Sequence, residues 1–212
     1  MFKYIFLCFF RFSQFILIAQ DADLKILSDT VAFKNKLSQI TQKTQTIESD
    51  FVQEKHLSML TDVITSEGVF KFKKENKIRW EYQKPFKYLV LINNNKISIK
   101  DENKTNTFDA KSNKAFEMMN TIIGNCLKGT ILNSQADFKL NYFENTEFYV
   151  VKMIPKKKEV LSVLSEISLF FDKSDMTVSK IKMQESTDDF TLIVFKNKKQ
   201  NVNISDEAFI IN

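Results

Sequence analysis

Side chains able to make or break bonds are scarce in this chain, and they do not assemble. His56 is the only histidine. A Ser-His-Asp or Cys-His arrangement needs a base beside its nucleophile, and nothing singles out a partner for His56, which follows Glu54-Lys55 near a strand end. With Cys8 in the apolar amino-terminal run, the one remaining cysteine and one histidine cannot build a Cys/His metal site, and three glycines can hardly supply a P-loop or a dinucleotide-binding glycine pattern. The carboxylate pair Asp188-Asp189 lies in turn-like sequence. This inventory indicates no catalytic residue, no metal and no cofactor. The expected activity is binding, and not that of an enzyme.

What the chain has in excess is apolar surface, above all aromatic. Phe alone accounts for 21 residues and aromatics for 13%, against 3 glycines and 2 prolines. Lys and Asn stand in the turns where Gly is usual. The formal charge is +5, but basic and acidic residues interleave. The densest basic runs, Lys156-Lys157-Lys158 and Lys196 with Lys198-Lys199, are short. No basic stripe forms, which argues against nucleic acid as a partner. A length of 212 residues fits one domain whose core needs no disulfide.

The amino terminus reads separately. Lys3 precedes the apolar run Tyr4-Ile5-Phe6-Leu7-Cys8-Phe9-Phe10; Arg11 interrupts it, and Phe15-Ile16-Leu17-Ile18-Ala19-Gln20 follows. A positive start, an apolar stretch and a small residue predict a secretory signal peptide over residues 1–19, cleaved after Ala19. The rival is an uncleaved anchor, but the unbroken apolar run is shorter than the ~20 residues a span needs. Cleavage removes Cys8 and leaves Cys126 as a lone cysteine in an apolar helical segment, where it reads as a small buried hydrophobe.

The rest of the chain, residues 20–212, reads as a single domain of mainly β (α+β) class. Phe33, Leu37 and Ile40 make one face of a helix over residues 29–45. From Ile47 the period changes to two: Phe70 and Phe72; Ile78, Trp80 and Tyr82; Ile97 and Ile99; Phe138, Leu140 and Tyr142; Ile167, Leu169 and Phe171; Phe190, Leu192 and Val194. Turn chemistry at Asn93-Asn94-Asn95, Glu144-Asn145 and Asp172-Lys173-Ser174-Asp175 separates these runs. The expectation is a long antiparallel meander with one apolar face. A helical insertion at about 112–129 carries Ala115, Phe116, Met119, Ile122, Ile123, Cys126 and Leu127 on one stripe, either as a core helix or as a cover, and a shorter helical turn is expected near Lys158–Leu164.

Geometry limits how that apolar face can be covered. About ten strands at ~4.8 Å spacing make a sheet ~48 Å wide, which must curl. Helices only ~10–12 Å across cannot cover such a face if it is flat. The sheet therefore closes into a barrel or remains a curled shell plugged by helices, and either way its interior suits an apolar ligand.

Between residues 69 and 82 the register is specified in detail. A three-residue loop Lys74-Glu75-Asn76 places Lys73 opposite Lys77, Phe72 opposite Ile78 and Phe70 opposite Trp80. A two-residue loop would instead set Phe72 beside Arg79 and mix apolar with charged side chains on one face. Phe70, Phe72, Ile78, Trp80 and Tyr82 are accordingly expected on the concave face.

The order of several motifs carries a resemblance. Ile47-Glu48-Ser49-Asp50-Phe51-Val52-Gln53 is followed by Ser66-Glu67-Gly68-Val69-Phe70, then Ile78-Arg79-Trp80-Glu81-Tyr82, Pro85 and Leu89-Val90-Leu91-Ile92. This resembles the outer-membrane lipoprotein carrier protein family, the LolA-like periplasmic lipoprotein chaperones, with their "F-x-Q", "G-x-F/L" and "R/N-W-x-Y-x-x-P" strands in that order. The resemblance implies a curved antiparallel sheet forming an incomplete β-barrel with a helical lid. It implies a monomeric periplasmic carrier that takes acylated lipoproteins from an inner-membrane lipoprotein-releasing ABC transporter and delivers them toward the outer membrane, the acceptor there being unassigned. Acyl chains would lie on Phe70, Phe72, Ile78, Trp80 and Tyr82 and under the lid residues Phe116, Met119, Ile122 and Ile123. Some members hold the lid with an arginine before the Trp strand; Lys74 stands at the matching position, a point charge in place of a planar fork. The same half-barrel could instead serve as a lipid or lipoprotein sensor of an envelope-stress system, although such a sensor is expected to continue into an anchor or second domain.

The physical need for a carrier is large. Three acyl chains of about 15 methylenes each, at about 0.8 kcal/mol per methylene, resist exposure to water by about 36 kcal/mol.

Overall fold

The computed structural model describes residues 23–74, 76–94, 96–101, 104–109, 125, 130, 135–185 and 188–211. The expected signal segment, 1–19, lies outside the described residues. So does the expected insertion at about 112–129, Asn125 apart, and with it Phe116, Met119, Ile122 and Ile123.

Alternating polar and apolar residues produce strands wherever one face can be buried. Those described are β1 (Lys25–Ile26), β2 (Thr46–His56), β3 (Ile64–Lys73), β4 (Lys77–Lys84), β5 (Tyr88–Asn93), β6 (Lys96–Lys100), β7 (Thr105–Asp109), β8 (Phe138–Glu144), β9 (Phe148–Pro155), β10 (Leu164–Asp172), β11 (Val178–Glu185) and β12 (Phe190–Gln200). They form one sheet in the order β1-β8-β9-β10-β11-β12-β2-β3-β4-β5-β6-β7. Among the described residues β1 and β7 remain edges, so the curled sheet is an incomplete barrel. The expected single meander is in fact two, β2–β7 and β8–β12, joined because the last strand pairs with the first long one, from Phe190↔His56 to Gln200↔Ile47. The connection that holds the expected insertion leaves β7 on one edge and enters β8 beside the other.

Asparagine supplies the left-handed turn residues that this glycine-poor chain lacks. Asn76 (φ 64°), Asn94 (φ 56°), Asn197 (φ 52°) and Asn201 (φ 56°) all adopt that region, at a lower cost than most side chains would meet. Asn76 closes the β3–β4 hairpin in the expected register, with Lys73↔Lys77, Phe72↔Ile78 and Phe70↔Trp80. Two like charges directly opposite each other are destabilising. The carboxylate of Asp206 answers this pair, 2.7 Å from Lys73 Nζ and 3.1 Å from Lys77 Nζ. It belongs to a 3₁₀ turn, Asp206–Phe209, packed on the outside of the hairpin, and hydrogen bonds from the two lysines hold its carboxyl below the usual carboxylate range.

Helix α1 (Thr30–Lys43) starts where the Asp29 carboxylate accepts the Ala32 amide at 2.8 Å. Its apolar face buries Phe33 and Leu37 on the concave side, the Phe33 ring lying 4.9 Å from that of Tyr149 and 5.7 Å from that of Phe171. The short helix α2 (Lys158–Leu161) joins β9 to β10. The convex face carries cross-strand ion pairs such as Lys71–Glu48 at 3.1 Å. It also has a minor apolar cluster of Phe148, Val150 and Phe170.

One strand differs in phase from its expected reading. In β12 the residues facing the main core are Ile193 and Phe195, with Thr191 on the same side, not Phe190, Leu192 and Val194. The run Phe190-Thr191-Leu192-Ile193-Val194-Phe195 is apolar at both parities, so its own pattern cannot select a face. Pairing of Phe195 with Phe51 and of Ile193 with Gln53 does.

Gly68 is required by contact. A Cβ there would run into the Glu81 carbonyl oxygen and lie 2.7 Å from the Phe51 ring, which occupies that space. The β3–β4 register shifts at the same place, between Glu67 and Gly68. Gly68→Ala is therefore expected to destabilise the fold by about 1–3 kcal/mol through overpacking. Urea unfolding checks this: the midpoint falls, and an unchanged midpoint would mean that the Phe51–Gly68 contact is not tight.

Candidate functional site

The five strand residues expected on the concave face are all there. Phe70, Phe72, Ile78 and Trp80 are buried in the main core and Tyr82 packs against it. Motif residues of three strands meet in one aromatic cluster around Phe51 and Trp80. The Phe51 ring lies 5.3 Å from Trp80 and 5.0 Å from Tyr82, while Phe70 contacts Trp80 at 5.2 Å and Phe195 at 5.5 Å. Each buried aromatic contributes roughly 1.5–3 kcal/mol by leaving water, with somewhat more from edge-to-face ring geometry.

Trp80 forms a shared wall between two cavities. The larger, about 300 Å³, runs from Ile78 and Ile92 in its depth to Lys55, Tyr82 and Tyr88 near the strand ends. The smaller, about 60 Å³, lies under Ile40 of α1 between Ser49, Phe70 and Lys198. The larger cavity therefore opens at the end of the sheet that carries the β2–β3, β4–β5 and β9–β10 connections. Exposed apolar side chains gather on those connections: Met59, Leu60, Val63, Phe86, Leu161 and Val163.

The polar groups of this interior were not legible as a site. Gln53 belongs to the "F-x-Q" strand, but a lone polar residue among apolar neighbours gives no sign of its partner. Its Oε1 accepts the Tyr82 hydroxyl at 2.9 Å across two strands. Trp80 Nε1 and Ser49 Oγ are buried and find no partner among the described residues. Lys198 is turned inward by the register irregularity at Asn197 and is mostly buried; it donates to Thr177 Oγ1 and Ser179 Oγ at 2.7 Å each and lies 3.0 Å from Asp175. Burial raises the Asp172 pKa, but hydrogen bonds from Ser174 and the nearby Lys198 outweigh it, so the carboxyl titrates below its usual range. A sequence reading takes Lys198 for a solvated turn lysine, and only the bulge reveals otherwise. Lys74, the expected latch, donates its ammonium to the Gln42 carbonyl at 2.9 Å and its amide to the Gln45 carbonyl at 2.7 Å. It thus ties the β3–β4 loop to the last turn of α1, where carbonyls lack intrahelical donors.

Tyr82 is held neutral. Burial, and then Tyr88, push its pKa up to about 12, against a smaller opposing effect of the Trp80 N–H. A group whose folded pKa is raised contributes its full stability below its unfolded pKa near 10 and loses it as pH rises toward 12. The loss amounts to about 2–3 kcal/mol. Absorbance titration of the tyrosines is expected to show one late ionisation near pH 12 that Tyr82→Phe removes; its persistence in that variant would reassign it.

No curated protein is matched by the chain. Among solved structures, an uncharacterized conserved protein from Thermus thermophilus aligns with a TM-score of 0.52 at 9% identity, over 82% of this chain and 91% of that one. A DUF1329 family protein from Desulfovibrio piger aligns at 0.46 and 16% identity, over 84% and 95%. A LolA superfamily protein from Nitrosomonas europaea aligns at 0.44 and 8% identity, over 85% and 96%. At these identities the likeness concerns the fold alone. The family model described as outer membrane lipoprotein carrier protein LolA matches residues 42–212, from the end of α1 through β2–β12. The chain therefore belongs to the outer membrane lipoprotein carrier protein LolA family.

Proposed function

We propose that the chain is a periplasmic carrier, and not an enzyme, that binds the acyl chains of lipoproteins inside the curled sheet and transfers them from the inner to the outer membrane. The observation that carries this reading is the aromatic wall of Trp80, Tyr82 and Tyr88, backed by the Phe51 ring, along a cavity of about 300 Å³ in a sheet whose described strands do not close into a barrel. That volume is at the low end of ligand pockets, and an unclosed sheet can widen where a closed barrel cannot. Residues 1–19 are its export signal. Residues 112–129 are its lid, with Phe116, Met119, Ile122 and Ile123 toward the chains. The protein works as a monomer, loaded by an inner-membrane lipoprotein-releasing ABC transporter. The exposed apolar side chains around the mouth, Met59 and Phe86 foremost, support chain exchange at that end.

Mass spectrometry of the protein isolated from the periplasm tests the reading as a whole. An amino terminus near Gln20 with acylated lipoproteins bound is the expected result. A retained Met1 in the membrane fraction would remove the export signal from the proposal. Free phospholipid alone would turn it toward the sensing alternative. The lid has its own test: Met119→Asp or Ile123→Asp puts an unpaired charge against acyl chains. Lipoprotein transfer is expected to fall about tenfold or more while the unfolding midpoint stays near that of the parent. A loss of stability without a specific transfer defect would make the segment a core helix.

A further inference from the structure

The larger cavity has a polarity of its own, beyond being apolar. A buried indole N–H is a donor only, and leaving it without an acceptor costs about 1–3 kcal/mol. Buried polar groups are nearly always bonded, so an orphan calls for an explanation. Trp80 Nε1 is such an orphan among the described residues, on a residue lining the cavity. It lies near enough to Tyr82 to oppose the rise in that pKa, yet makes no hydrogen bond of good geometry with the hydroxyl. Next along β4, the Tyr82 hydroxyl gives its proton to Gln53 Oε1, which leaves the Gln53 NH₂ as the free end of that amide. Tyr82 stays uncharged to about pH 12. Among the described residues no carboxylate lines the cavity, and the one cation on its wall, Lys55 at the mouth, is 3.5 Å from Glu185. The interior thus offers N–H donors in a neutral, apolar setting.

The complement of such a wall is an acceptor that carries no charge. A free carboxylate would meet the donors but would bring a charge into apolar surroundings, at a much greater desolvation cost. A plain hydrocarbon would leave Trp80 unsatisfied, and an ether oxygen, flanked by methylenes on both sides, is a less accessible acceptor than a carbonyl oxygen that projects from the chain. A carbonyl at the head of an apolar chain satisfies it.

Depth agrees with this. Trp80 lies two residues inward from Tyr82, about 7 Å along the strand. A carbonyl held there leaves its polar head toward Lys55 and Tyr88 at the mouth, and its chain toward Ile78 and Ile92 in the depth.

We propose that Trp80 Nε1–H, with the Gln53 side-chain amide beside it, binds the ester carbonyl of an acyl chain, so that the cavity selects ester-linked chains over ether-linked chains of equal length. The inference rests on the lipid-carrier reading and names the chemistry of the chain head within it.

Two neutral probes that differ in one carbonyl test it: 1-monopalmitoylglycerol and 1-O-hexadecylglycerol, each titrated into the purified protein. Displacement of an environment-sensitive dye measures affinity. The emission of Trp80, the only tryptophan, reports on the indole itself. The ester is expected to bind about 2- to 10-fold tighter than the ether, the range of one neutral hydrogen bond, and to shift the emission where the ether does not. Trp80→Phe keeps an aromatic ring and removes the donor; whatever it does to the affinity for both lipids, it should bring the ratio of ester to ether affinity toward one. Should that variant not fold, Gln53→Leu makes the same comparison with the other donor removed. Equal affinities in the parent protein, or an ester preference that survives both substitutions, would overturn the inference while ether binding leaves the carrier reading in place. Failure of both lipids to bind would overturn the carrier reading as well.

Discussion

Phe51 occupies the space in which Gly68 would carry a side chain, and much of the structure follows from that contact. The ring can lie flat against the neighbouring strand only because Gly68 is bare, and a Cβ would lie 2.7 Å from it. Its position fixes which residues of β3 and β4 share its face: Phe70 through β3, then Trp80 and Tyr82 through β4. On its other side the pairing of Phe51 with Phe195 sets the phase of β12, the seam between the two meanders. One aromatic on one glycine thus orients the side chains of β2, β3, β4 and β12 toward a common interior, and strand periodicity propagates the choice.

How much of this can be read from sequence depends on whether a strand's own pattern distinguishes its faces. In β3 and β4 it does. Lys71 and Lys73 alternate with Phe70 and Phe72, and Arg79 and Glu81 with Ile78, Trp80 and Tyr82, so only one hairpin register keeps charge out of the core, and the structure has it. In β12 both parities are apolar, and the face is decided by a partner strand about 140 residues earlier in the chain. Gln53 and Lys198 were hidden for a related reason. A polar residue on an inward position reads as an exception until its partner is known, and the partners here are Tyr82 two strands away and, at the start of the neighbouring strand β11, Thr177 with Ser179. The inward turn of Lys198 further depends on the left-handed Asn197, which lies in a run of lysines that looks solvated.

The interior is a compromise between packing and content. A core filled to crystalline density would leave neither cavities nor orphan donors. This one keeps both, against the wall that Phe51 organises. Stability comes from elsewhere in the fold: from the long pairing of β2 with β3 and β12, from α1 over the other half of the concave face, and from Asp206 clamping two opposed lysines from outside. These parts stiffen the back of the shell, where both meanders meet. The outermost described strands, β1 and β7, lie away from that seam.

That asymmetry bears on how contents enter and leave. A non-directional apolar surface holds a chain without specifying its depth, whereas a single N–H donor in the wall specifies depth without adding much affinity. A carrier needs the first for solubility and can use little of the second if it is to release. Among the described strands β1 and β7 are the outermost, and the chain between β7 and β8 starts on one of these edges and ends beside the other. Any change in the curl of the sheet therefore changes the distance between the two ends of this connection. Widening of the interior and the span of the β7–β8 connection are coupled by topology alone, without a dedicated signalling pathway through the core.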